Sequence, residues 1–139
     1  TIAAMISAMT TYKVQLVILE PNETLDTDEI NFVNLTKLKL TYPSVNRENE
    51  SPEALIFEKD FRKKNKINPS VFAVRGFDIT FDTMMRLSQG KKYQETVDFK
   101  ATEQIDNKFE YYKKEDGGYM NKGIYILYYD TDLTIKEAN

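Results

Sequence analysis

Apolar positions recur along this chain at several spacings, and each spacing predicts an element. Ile2, Met5, Ile6 and Met9 stand three and four residues apart, the period of one helix face. Residues 13–19, KVQLVIL, are a short apolar run rich in β-branched side chains. Such a run predicts a strand buried on both faces, as in a parallel sheet. Residues 35–42, LTKLKLTY, set Leu35, Leu40 and Tyr42 among Lys37, Lys39 and Thr41, with Leu38 out of phase. They predict a second, half-exposed strand that Pro43 ends. Ser51-Pro52-Glu53 is a cap-then-proline helix start, with Ala54, Phe57 and Phe61 as the apolar face behind it.

Asn68-Pro69 repeats that start signal and predicts a helix running to about Ser88 and stopping at Gly90. Arg75, Asp78, Asp82 and Arg86 lie along one stripe of it, and Phe77, Phe81, Met84 and Met85 lie opposite. Residues 91–107 are polar with little periodicity and predict a short helix or loop. NKFEYYKK and GIYILYYD flank Glu115-Asp116-Gly117-Gly118 and predict a β-hairpin. Ile124, Ile126 and Tyr128 share one face of its second strand, and Tyr125, Leu127 and Tyr129 the other. Both faces are apolar, so the strand is expected to be covered on both sides. The tail after Asp130 adds a few strand residues. Helix followed closely by strand gives an α/β class.

Composition narrows the chemistry. The chain has 139 residues, enough for one domain with a core, and a net charge of −3, which offers no general attraction to nucleic acid or anionic membrane. No apolar run approaches the ~20 residues that span a bilayer, so no membrane insertion is expected. Histidine, cysteine and tryptophan are absent. That excludes Ser-His-Asp and Cys-His nucleophilic sites, disulfides, and zinc sites built on His or Cys. The five glycines form no phosphate-binding loop. No metal and no cofactor is expected, and a catalytic role is not. Thr1 in place of Met, without a signal-peptide pattern, suits a processed protein or an excised piece.

Four features invite a functional reading. The acidic stretch EPNETLDTDEI, residues 20–30, is a solvated loop, a ligand loop at the carboxyl end of a strand, or a calcium loop whose spacing misses the twelve-residue pattern. Asp78 and Asp82, one turn apart, could bind a metal or share a proton, but Arg75 and Arg86 balance them as a self-neutralising ladder. Arg62, Lys63, Lys64 and Lys66 complement the negative pole of their helix or meet phosphates. The tyrosines at 111, 112, 119, 125, 128 and 129 serve sheet packing or sugar stacking.

NPSVFAVRGFDITFDTMMRL resembles a helix of the type 1 periplasmic binding proteins, the two-lobed receptors of the leucine/isoleucine/valine-binding class. KFEYYKKEDGGYMNKGIYILYYD resembles that family's closing hairpin, and LTKLKLTYPS the strand that crosses between lobes. TYPS, RGFDITFD and GGYMNKGIYIL are closest to a Bacteroidetes-type subgroup in which this region follows LysM peptidoglycan-binding modules. The resemblance implies the C-terminal part of a two-lobed, three-layer αβα fold with a terminal β-hairpin. Residues 1–44 would belong to one lobe, 45–130 mainly to the other, and 131–139 to a tail.

The resemblance further implies a non-catalytic binding domain of a periplasmic or cell-envelope protein, with a small polar molecule or peptidoglycan component as ligand. By position, Glu20, Asn22 and Glu23, with Tyr42 and Ser44 at the crossover, are the candidate ligand-binding residues. The family's acidic ligand-loop residue lies in a glycine-rich context, and LEPNET departs from it. Strands absent from this length imply a homo-oligomer or an edge-strand contact with another copy. A structural or assembly domain without a ligand is the alternative, and a carboxylate-dependent hydrolase the weaker one.

Overall fold

The computed structural model describes residues 2–9, 11–20 and 31–138. It mixes helices and short antiparallel sheets. The chain divides into two compact units, Thr1–Ser44 with Tyr125–Asn139, and Val45–Ile124. Among the described residues no helix is long and apolar enough to cross a membrane.

In the first unit, α1 (Ile2–Ser7) and α2 (Phe32–Lys37) accompany a three-stranded sheet of order β1-β6-β7. Its strands are β1 (Thr41–Ser44), β6 (Tyr125–Tyr129) and β7 (Ile135–Glu137), all antiparallel. The strand expected from residue 35 begins only at Thr41. Asn31 caps a helix instead, its side chain accepting from Val33 N at 2.9 Å. Leu35 and Leu38, three apart, then fall on one buried helical stripe, which explains why Leu38 broke the alternation. Lys39, with φ of 44°, turns the chain into β1, which continues through Pro43 to Ser44.

Residues 13–19 do not form the doubly buried strand. They contribute one parallel bridge, Val17 to Thr41, held by hydrogen bonds from Thr41 N to Leu16 O and from Ile18 N to Thr41 O. Leu16 and Ile18 pack on the core, while Val17 and Leu19 are exposed. That core is Leu35, Leu40, Tyr42, Tyr125, Leu127 and Tyr129. Strand β6 is likewise covered on one face only. Tyr125, Leu127 and Tyr129 are buried, whereas Ile126 is exposed and Tyr128 lies under the Lys39 ammonium, 4.3 Å from its ring centre. In the tail, Lys136 lies 2.6 Å from Asp132 and also pairs with Asp130. Its hydrogen bond, with those from Thr134, brings the Asp132 carboxyl down to about 2.

In the second unit, α3 (Pro52–Asn65) and α4 (Val71–Leu87) precede three small elements: a 3-10 turn at Tyr93–Thr96, β2 (Thr102–Glu103) paired with β3 (Lys108–Phe109), and β4 (Tyr111–Lys113) paired with β5 (Tyr119–Asn121). Ser51 caps α3, accepting from Ala54 N at 3.2 Å. The cap of α4 is Ser70, accepting from Ala73 N, and not Asn68; the helix therefore starts two residues after Pro69.

The turn at Asp116-Gly117-Gly118 forms as the sequence predicts, with both glycines at positive φ, but it joins β4 to Tyr119–Asn121 and not to β6. Gly123 is buried where a Cβ would strike the Lys108 carbonyl, 2.7 Å from its carbon. Gly123→Ala is expected to displace that backbone at a cost of about 1–3 kcal/mol, measurable as a lower urea midpoint with an unchanged slope.

Candidate functional site

The stripe Asp78, Asp82 and Arg86 is the most polar feature of α4, and it faces inward. All three side chains are buried, the two carboxylates fully. Much of the opposite stripe, including Phe77, Phe81 and Met84, is exposed. The charge ladder is thereby a buried network, packed against a neighbouring segment. The reason lies in residues 102–107, which supply the partners that buried charges require.

Asp78 Oδ1 accepts from Ile105 N at 3.0 Å. Its Oδ2 accepts from Asp106 N and Asn107 N, each at 3.0 Å, and from Asn107 Nδ2 at 2.8 Å. Three consecutive backbone N–H groups thus converge on one carboxylate. Asp82 Oδ2 pairs with Arg86 Nε at 2.7 Å, and its Oδ1 accepts from the Thr102 hydroxyl and, at 3.4 Å, from Gln104. Arg86 completes its coordination by donating to Thr96 O at 2.8 Å and Thr102 Oγ1 at 3.1 Å. Its guanidinium lies 5.0 Å from the Tyr111 ring centre. Burial, followed by hydrogen bonding to Tyr93, pushes the Tyr111 phenol well above its ordinary range.

Chemically, this arrangement binds helix to loop. Neither carboxylate is presented to solvent, and each is held by its own set of donors. Arg75, expected to balance Asp78, contributes no bond to it. The donors from 102–107 went unrecognised in the sequence because that stretch has no periodicity. The usable signal was indirect: two carboxylates on a stripe that turns inward must find nearby donors.

Asp106 carries the cost of this design. Its carboxyl is pushed up, first by burial, then by the charges of Asp78 and Glu48, with Arg47 opposing. A carboxyl raised in the folded state favours folding below its unfolded value of 3.8, and that contribution disappears as pH rises through the folded value. Asp106→Asn is therefore expected to raise Tm at pH 7, with the difference from the parent closing as pH is lowered below 3.8. Thermal unfolding at a series of pH values checks it.

A groove of about 610 Å³ opens between α3, α4 and residues 103–105. Its apolar lining is Ile56, Phe57, Phe77, Phe81 and Ile105. The rings continue as a ladder: Phe61 to Phe57 at 5.9 Å, Phe57 to Phe77 at 4.6 Å, and Phe77 to Phe81 at 5.7 Å, the last pair stacked.

The residues proposed from sequence as ligand contacts belong to the other unit. Glu20 is exposed, Tyr42 is buried with its ring 6.0 Å from that of Tyr129, and Ser44 is half-buried at the end of β1. Asn22 and Glu23, with the rest of the acidic stretch to residue 30, lie outside the described residues. Among the described residues no three acidic side chains converge to hold a metal ion.

Comparison of the chain with protein-family models, curated proteins and solved structures finds no match.

Proposed function

We propose that this chain is a non-catalytic, receptor-type binding domain of a cell-envelope protein, related to the C-terminal part of the two-lobed type 1 periplasmic binding fold. Its ligand is a small polar molecule or a peptidoglycan component, with Glu20, Asn22, Glu23, Tyr42 and Ser44 as the residues that meet it. The support for the family lies in the residues of α4 and of the closing segment. The observation that carries the non-catalytic reading is the burial of Asp78 and Asp82 among their own donors. Histidine and cysteine are missing from the chain, and this carboxylate pair holds a loop.

Thermal-shift titration against amino acids and muropeptides tests the proposal. A ligand at a hundred times its Kd stabilises the folded state by about 2.7 kcal/mol and raises Tm by several degrees. A flat response across both panels would sink the small-ligand reading. An enzymatic activity abolished by Asp78→Asn or Asp82→Asn in a folded variant would restore the hydrolase.

A structural or assembly role remains as a second reading because Val17 and Leu19 stand exposed beside β1, on the outer edge of its sheet. A dimer seen by light scattering that Val17→Lys dissolves, with no ligand response, would favour it.

A further inference from the structure

We propose that the groove between α3 and α4 is a binding site for a small cationic ligand: an amine or guanidinium carried on a flat or branched apolar body. This site is separate from Glu20, Tyr42 and Ser44, and the proposal does not depend on the envelope reading.

The volume, about 610 Å³, lies in the range of small-molecule sites. Its floor is apolar, and Phe57, Phe77 and Phe81 all border it. Phe77 and Phe81 are 39% and 45% exposed, so part of each ring is open to a ligand. Aromatic faces attract cations through their quadrupole.

The polar groups of the groove give it a sign. Three acids line it, Glu53, Asp60 and Glu103, and no basic side chain does among the described residues. Glu103 is compensated by Arg47 at 2.8 Å and Lys108 at 3.5 Å. Glu53 and Asp60 have no ion pair among the described residues. They lie seven apart on α3, two turns along one stripe, with Ile56 and Phe57 between them. The neutral polar groups are largely committed elsewhere. Ser51 Oγ caps α3, and Asn49 Oδ1 accepts from Ser51 N. A ligand therefore finds ring faces for its body and two uncompensated carboxylates for its charge. An anion of the same shape meets repulsion.

The test uses three probes of one shape: phenethylamine, phenethyl alcohol and hydrocinnamate, titrated into the full chain and followed by two-dimensional NMR. The amine is expected to shift signals of Ile56, Phe57, Phe77 and Phe81. The alcohol should bind about fivefold more weakly, and the carboxylate weaker still. The double variant Glu53→Gln, Asp60→Asn alters only exposed positions and is expected to bring amine affinity down to that of the alcohol. Phe81→Ala should weaken both. Equal affinity for amine and alcohol in the parent chain, shifts outside the groove, no binding at millimolar probe, or an amine preference surviving the double variant would each overturn the proposal.

Discussion

Asp78→Ala is expected to cost the 45–124 unit about 3–5 kcal/mol and to leave it largely unfolded at 37 °C. The carboxylate accepts three backbone N–H groups and one side-chain amide. Alanine orphans all four, and each buried donor left without a partner costs about 1–3 kcal/mol. Water reaches the half-buried Ile105 and Asp106 more readily than the buried Asn107, which brings the total down to about the bottom of the summed range. Domains of this size have about 5–15 kcal/mol in hand. The apolar side chains buried in this unit are few, namely Ala54, Val74, Val97 and Phe109 among the described residues, so little else compensates. Asp78→Asn keeps one acceptor oxygen and should lose roughly half as much. Urea denaturation of the two variants, with near-ultraviolet circular dichroism of the tyrosines as a second probe, gives both values.

The second large effect concerns Asp82 and Arg86. Removing one member of a buried pair leaves the other charge without its counterpart, at a cost of about 3–5 kcal/mol. Arg86→Met leaves Asp82 with only Thr102 and Gln104, and also strips the shorter of two donors from Thr96 O, leaving Phe99 N at 3.2 Å. Asp82→Leu leaves the guanidinium buried with two neutral acceptors. Combining the two removes both charges together. The double variant should therefore be more stable than the sum of the singles by at least about 2 kcal/mol. It should not regain parent stability, because Thr96 O is left with Phe99 N as its one remaining donor and Thr102 loses both charged partners. Strict additivity in the cycle would mean that the two side chains do not depend on each other.

What the sequence disclosed about the fold follows from how local each signal is. Ser51-Pro52-Glu53 is a complete capping instruction within three residues, and α3 starts there. The turn at Gly117-Gly118 needs positive φ, which glycine supplies, and it forms where expected. The choice of strand partner was not local. The segment 123–130 looks like the mate of 107–114 because both are aromatic and a turn lies between them. Strand β6 instead pairs with β1, some eighty residues earlier, and with β7. Residues 35–42 suggest period two although Leu35 and Leu38 fit a helix turn, and the Asn31 cap decides for the helix up to Lys37.

The charged stripe of α4 was recognised as a unit, and its Asp82–Arg86 pair is real. Its burial was not legible, because that depends on where residues 102–107 return, a contact more than twenty residues away. Asn68 and Ser70 are both capping residues. Only the fold decides between them, and it selects the one three residues before Ala73.

The Asp78 carboxylate of α4 holds residues 105–107 against the helix. Amide hydrogen exchange of the native protein at Ile105, Asp106 and Asn107 tests this most directly. These three consecutive N–H groups lie between β2 and β3, outside any strand, and would exchange quickly if Asp78 did not accept from them. All three are expected to be protected to the level of the α4 backbone, and Asp78→Asn, which keeps one acceptor oxygen, is expected to lower that protection while the rest of the unit stays folded. Exchange at unprotected-loop rates in the parent protein would contradict this, because the carboxylate would then be free for another role.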